Sequence, residues 1–110
     1  MPCLPGGCRC GAIRYEVKGE PRHSALCHYA DCRASSGAPI VGWTAFEQAA
    51  LHVLSGEPKR WQGTGAWVRQ FCGTCGTGLF FHNPDILPGI VDVQTATLDE
   101  ADAFAPQAHI

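Results

Sequence analysis

The sequence predicts an all-β fold class on three observations. Residues 12–18 alternate strictly, with Ile13, Tyr15 and Val17 on one face and Arg14, Glu16 and Lys18 on the other. That is the period of a half-buried strand. Thirteen glycines and eight prolines punctuate the chain at short intervals, which suits many turns and short strands rather than long helices. Residues 89–98 are rich in β-branched side chains, which favour a pleated, half-buried surface.

The elements follow in order. Gly6-Gly7-Cys8-Arg9-Cys10-Gly11 is a tight turn, and its Cys-x-Cys spacing points both thiols the same way on extended backbone. The strand over 12–18 ends at Gly19-Glu20-Pro21. Residues 30–36 predict a short helix, with Gly37 as its stop and Pro39 preventing continuation. A strand is expected over 40–43. Thr44-x-x-Glu47 reads as a capping box opening a second short helix through Ala49. Residues 51–54 and 59–62 read as strands on either side of Ser55-Gly56-Glu57-Pro58. Gly63-Thr64-Gly65 is a turn. Residues 66–71 then run as a strand, with Trp67, Arg69 and Phe71 on one face, into Cys72-Gly73-Thr74-Cys75-Gly76. Leu79-Phe80-Phe81 leaves this second thiolate turn as a strand, and Asn83-Pro84-Asp85 turns the chain again.

The chain has 110 residues, which makes it one domain, 1–110, with a modest core. A metal staple is physically useful at this size. Its formal net charge of -2, with 16% charged residues, argues against a nucleic-acid binder, which needs a basic face. No apolar run approaches membrane-spanning length. Seven cysteines are an odd number, and Met1-Pro2-Cys3-Leu4-Pro5 has no secretory pattern. We read the chain as cytoplasmic with reduced thiols, a setting in which paired cysteines more often bind metal than form disulfides.

Cys8, Cys10, Cys72 and Cys75 form two glycine-framed thiolate pairs. The Cys72/Cys75 turn resembles half of a rubredoxin-like zinc knuckle, and together with the tight Cys8/Cys10 turn it supplies the four ligands of a structural zinc. A redox Cys-x-x-Cys would sit at a helix N-terminus in a βαβ unit, whereas strands flank this one. Cys27 and Cys32 form a weaker set. Two readings stand for it: a second metal with a position open to substrate, or two inert thiols in a loop. Asp31, His28, His82 or water are the further ligands a second metal would call on. Cys3 lies outside both sets, and His23, His52 and His109 lack ligand neighbours. Arg33 is the candidate for holding a substrate carboxylate or lowering a thiol pKa.

Three motifs carry a resemblance over nearly the whole chain. Gly6-Gly7-Cys8-Arg9-Cys10-Gly11-Ala12-Ile13-Arg14-Tyr15 is similar to the opening of the glutathione-dependent formaldehyde-activating (GFA) family, which includes centromere protein V. Cys27-His28-x-x-x-Cys32-Arg33 with Ser36-Gly37-Ala38-Pro39 resembles its central motif, and Phe71-Cys72-x-x-Cys75-Gly76-Thr77-x-Leu79 its third. The resemblance implies a β-tent of coiled antiparallel sheets and a structural zinc on Cys8, Cys10, Cys72 and Cys75. It also implies a carbon–sulfur lyase that joins glutathione and formaldehyde as S-hydroxymethylglutathione, with a small-molecule thiol as partner.

The family's catalytic zinc rests on three thiolates, which would fall at Cys27, position 29 and Cys32. Tyr29 stands at the middle position, and a phenol with a pKa near ~10 is a poor substitute for a thiolate. The second zinc is therefore expected to bind loosely or not at all, with Cys27, Cys32 and Tyr29 as candidate catalytic groups. Family members also continue beyond Pro106-x-x-His109-Ile110, so an edge of the fold is expected to be shortened or missing. The alternative to an enzyme is a zinc-stabilised module that binds a protein or a thiol ligand without catalysis.

Overall fold

The computed structural model describes residues 2–110. Ten strands, one α-helix and three short 3-10 turns lie among the described residues, as the all-β expectation requires. The smaller sheet contains β1 (Cys3–Gly7), β2 (Arg14–Lys18) and β5 (Leu51–Ser55) in the order β1-β2-β5. The larger contains β3 (His23–Cys27), β4 (Val41–Glu47), β6 (Lys59–Gln62), β7 (Val68–Phe71), β8 (Gly78–His82), β9 (Ile90–Gln94) and β10 (Ala108–His109). Its order is β10-β3-β4-β9-β8-β7-β6. Every pairing is antiparallel except that of β10 with β3.

The alternation of β2 becomes the seam between the sheets. Ile13, Tyr15 and Val17 are buried, and they join Phe46, Leu79, Phe80, Val91, Val93 and Leu98 in one core. Tyr15 meets Phe80 edge-on, with ring centroids 5.1 Å apart and planes at 78°, the favoured arrangement for aromatic quadrupoles. The Tyr15 hydroxyl lies 2.7 Å from Thr97 Oγ1, which itself donates to the Gln94 carbonyl at 2.7 Å. Thr97 has one proton, so Tyr15 is the donor. Burial pushes the Tyr15 phenol up to about 12. On the outer face, Arg14 reaches Asp99 at 2.6 Å and Lys18 reaches Glu16 at 3.3 Å.

The helix α1 (Ala30–Ser36) forms where it is expected, and Gly37 closes it in the left-handed conformation, φ 68°. The expected capping box does not form. Thr44 lies inside β4, fully buried, paired to Ser24 on one side and Val93 on the other. Its hydroxyl joins Ser24 Oγ at 3.0 Å and Thr95 Oγ1 at 2.8 Å. A helix opening here would break two ladders and leave these buried hydroxyls unpaired, which outweighs a local capping pattern. The 3-10 turn Gln48–Ala50 is all that follows. The expected strand over 89–98 stops at Gln94, and the 3-10 turn Thr95–Thr97 brings Leu98 to a bridge with Gly6.

The structure adds three strands that alternation did not reveal. β1 is an edge strand, which tolerates Pro5 because its missing N–H faces away from the ladder. β3 joins the helix-bearing segment to the large sheet. β10 covers the free edge of β3, with Ala108 opposite Ala25 and His109 opposite Leu26. No helix among the described residues is long and apolar enough to cross a membrane.

Candidate metal centre and adjoining thiol site

The two thiolate turns come from different sheets. Cys8 and Cys10 lie between β1 and β2, and Cys72 and Cys75 between β7 and β8. Their backbones are near copies. Cys8 N–H donates to the Ile13 carbonyl at 3.1 Å, and Cys72 N–H to the Thr77 carbonyl at 2.9 Å. Gly11 N–H closes on the Cys8 carbonyl at 3.1 Å, and Gly76 N–H on the Cys72 carbonyl at 2.8 Å. Gly11 and Gly76 have φ 82° and 81°, a region that a Cβ makes costly. The glycine frame seen in the sequence is therefore required by both turns.

These turns bring the four sulfurs together, all within 4.8 Å of one another. Cys8 Sγ lies 3.6 Å from Cys10 Sγ, and Cys10 Sγ lies 3.8 Å from Cys72 Sγ. A tetrahedron with metal–sulfur bonds of ~2.3 Å has edges of about 3.8 Å, so the set fits one ion. Backbone donors already point at the sulfurs. Ile13 N–H reaches Cys8 Sγ at 3.2 Å, and Thr74 and Cys75 N–H reach Cys72 Sγ at 3.4 and 3.5 Å. Such donors favour thiolate over thiol. Arg9 N–H donates to Thr77 Oγ1 at 3.2 Å, which leaves the Thr77 proton for Cys75 Sγ at 3.1 Å. Thr77 thus links one turn to the other, and its bonds are the main reason Cys75 falls to about 5. A metal held here would staple the small sheet to the large one.

The second cysteine set lies in a separate buried cluster with Val41 and Trp43, flanked by Phe81. Cys27 ends β3 and Cys32 lies in α1. Their exposures are 2% and 8%, and the Cys27 S–H donates to Cys32 Sγ at 3.0 Å. Burial first, and then the neighbouring Cys32, push the Cys27 thiol up to about 11. The cation beside the pair is Arg69 of β7. Its Nη2 lies 2.6 Å from Asp31 Oδ2 and 3.6 Å from Cys32 Sγ, and its Nε lies 3.1 Å from the same Asp31 oxygen. Arg69 is 8% exposed, and its Cζ sits 4.8 Å from the Phe81 ring centre, 5.6 Å from Trp67 and 6.0 Å from Trp43. Burial opposes its charge, but the bonds to Asp31 and Cys32 outweigh burial and raise its pKa.

The other candidates fall elsewhere. Tyr29 is 62% exposed at the N-cap of α1. Arg33 is exposed in the last turn of α1, and the guanidinium at Cys32 Sγ is that of Arg69. The His82 ring bonds the Ile90 carbonyl at 2.8 Å, and His28 Nε2 meets His109 Nδ1 at 2.7 Å. Cys3 is exposed and donates to Glu16 at 3.1 Å. Among the described residues, no His, Cys, Asp or Glu joins Cys27 and Cys32 in a group of three mutually close ligand atoms. The two thiols lie 3.0 Å apart with the Arg69 guanidinium 3.6 Å from one of them, and no third protein ligand stands beside them among the described residues. A separate cavity of about 620 Å³ lies on the sheet beside residues 101–106; it contains no cysteine, and Asp102 is its one charged lining residue.

The sequence reading missed Arg69, Thr77 and Trp43 as site residues. Arg69 could have been suspected as a charge among the aromatic residues Trp67 and Phe71 on one strand face. Trp43 is buried, and its Nε1–H has no acceptor among the described residues.

Together the fold and site define a small β domain whose two sheets meet at a four-cysteine centre able to hold a metal ion. The profile described as glutathione-dependent formaldehyde-activating enzyme, GFA, matches residues 3–110. The chain belongs to that family. No curated relative matches it. Among solved structures, a Rhodobacter sphaeroides protein shares the fold with a TM-score of 0.77 at 23% identity, over 96% of this chain and 99% of the other.

Proposed function

We propose that this chain is a zinc-stapled GFA domain whose Cys27–Cys32 cluster receives a small thiol adduct of the glutathione class without a second zinc. Zinc is the ion for Cys8, Cys10, Cys72 and Cys75, because four soft thiolates in a closed shell suit it and need no redox partner. This ion is structural, since all four positions belong to the protein. The observation that carries the rest is Arg69 against Cys32. A positive charge already stands where a metal on Cys27 and Cys32 would have to share space.

Family membership supports a carbon–sulfur lyase reading. In that reading a glutathione thiol and an aldehyde would be held in a fixed orientation, with the exposed Arg33 available to a ligand carboxylate. With Tyr29 facing solvent and Arg69 inside, metal-assisted condensation of formaldehyde with glutathione is weak or absent. Fold alone does not assign the reaction. The seven free thiols suit a reducing, cytoplasmic setting.

The test is metal content together with ligand protection. Purified protein should contain one zinc per chain. S-methylglutathione, whose sulfur cannot exchange, should raise the melting temperature. Formaldehyde-dependent loss of free glutathione should not exceed the uncatalysed rate. Two zinc ions per chain, or no protection by S-methylglutathione, would overturn this reading.

A further inference from the structure

We propose that the cavity beside residues 101–106 is a second small-molecule site, and that it takes an aliphatic amine carrying a neutral acceptor oxygen. The cavity holds about 620 Å³, within the range of small-ligand pockets. One wall is sheet, with Leu26 of β3, Gly42 of β4 and Thr95 just after β9. The other is the later chain, with Asp102 and Phe104. Cys27, Cys32 and Arg69 do not line it, so the site stands apart from the thiol reading.

Gly42 keeps this space open. It lies inside β4 opposite Leu26, where a glycine weakens the strand and often marks close approach of a ligand or another backbone. Its φ is not positive. A Cβ there would meet nothing nearer than Thr95 at 3.6 Å and Leu26 at 3.8 Å. Neither conformation nor packing requires the glycine. A side chain at Gly42 would instead take room from the cavity, because Thr95 and Leu26 line it. Ala25, Ala38, Ala96, Ala101 and Ala105 line it with side chains nearly as short.

The hydroxyls give the ligand an acceptor. Ser24, Thr44 and Thr95 form a chain with links of 3.0 and 2.8 Å, so three hydroxyl protons serve two bonds. Thr44 is wholly buried, and its proton goes to one of its two neighbours. The proton left over belongs to Ser24 or Thr95, and both line the cavity. An oxygen of the ligand would accept it. The other polar side chains are occupied. Ser36 Oγ donates to the Cys32 carbonyl at 2.9 Å and accepts from Ala38 N–H at 3.2 Å. The Gln94 amide lies against Gly78.

Asp102 sets the sign of the charge. It is exposed, no Lys, Arg or His lines the cavity, and it joins no ion pair among the described residues. A ligand carboxylate would meet Asp102 with no cation to offset it, whereas an ammonium complements it. An amine at Asp102, methylenes along Leu26, Ile40 and Phe104, and an oxygen at the hydroxyl chain use every uncommitted group.

The experiment titrates the full chain with 6-amino-1-hexanol and follows backbone amide chemical shifts. Saturable shifts should centre on residues 24–26, 42 and 95–105, with a dissociation constant on the order of 1 mM for a ligand this small. Hexylamine lacks the oxygen and 1,6-hexanediol lacks the charge; each should bind about three- to tenfold more weakly. 6-Hydroxyhexanoate, with the opposite charge, should bind more weakly still. Asp102→Asn, at an exposed position, should abolish the preference for 6-amino-1-hexanol over 1,6-hexanediol. Gly42→Leu should block all four compounds. Ala105→Leu should do the same from an exposed position outside the strands, and melting curves establish that each variant is folded.

Shifts that fail to saturate, or that centre elsewhere, would overturn the site. Equally tight binding of 6-hydroxyhexanoate would overturn the role given to Asp102, and equally tight binding of hexylamine that of the hydroxyl chain. Displacement of 6-amino-1-hexanol by S-methylglutathione would overturn the claim that this is a second site.

Discussion

The Arg69 guanidinium grips the Asp31 carboxylate through two nitrogens on one oxygen, at 2.6 and 3.1 Å. The bond ties β7 to α1 across the cluster that contains Cys32. Arg69 is almost wholly buried, while the Asp31 side chain is 56% exposed. Removing the carboxylate leaves a buried cation with one fewer partner. Asp31→Ala is expected to cost about 1–2 kcal/mol, at the lower end because water screens half of the pair. A urea unfolding series checks it. Arg69→Met should cost less than Asp31→Ala, because it removes the charge that needs the partner. The reverse order would show that the aromatic cage, rather than Asp31, holds the guanidinium.

On the proposed reading, the same guanidinium is what keeps a second metal from Cys27 and Cys32. Restoring a thiol by Tyr29→Cys alone should leave zinc at one per chain, because Arg69 still borders Cys32. Tyr29→Cys with Arg69→Ala should bind a second zinc, since three thiolates are then free of a competing charge. Elemental analysis of both variants decides the matter. Two zinc ions in the single variant would show that the missing thiolate, and not the arginine, was the obstacle.

Loss of the four-cysteine centre should be felt as unfolding. An ion held there would be gripped by turns from two sheets, so its binding free energy would also be free energy of docking them. Cys8→Ser or Cys75→Ser should lose most of the metal together with the cooperative melting transition. A strong chelator should do the same to the unmodified chain. A variant that loses its metal yet melts cooperatively at the original temperature would refute the staple.

Asp92 provides a pH test of the opposite sign to the usual carboxylate. It lies in β9 opposite Ala45 and Phe81, and burial raises its pKa, with His23 opposing. The folded state therefore keeps its proton at pH values where the unfolded chain has released it. Stability falls as pH rises from the ordinary Asp value, ~3.9, through the folded one. Asp92→Asn should raise the melting temperature at pH 7. The gain should vanish near pH 3, where Asp92 is protonated in both states. A gain that persists unchanged at pH 3 would place its origin in packing rather than in charge.

Much of the molecule was legible because its signals are local. Strict alternation over residues 12–18 needs no partner to be read, since a strand with one buried face must repeat every second residue. The two glycine-framed cysteine pairs, Gly37 after α1 and the Asn83-Pro84-Asp85 turn are likewise short-range backbone chemistry. They determined the all-β class, the position of the helix and the four sulfurs that meet. Tertiary structure decided what depends on neighbours remote in sequence. Thr44 and Glu47 spell a helix cap, yet β3 and β9 on either side claim that backbone for two ladders. β1 and β10 have no periodicity to reveal them, because each exists by pairing with β2 or β3. Above all, Arg33 adjoins Cys32 in sequence, but Arg69 reaches its sulfur across 37 residues. The partner of a buried charge is chosen by which strand packs over it, and only the folded sheet brings β7 against α1.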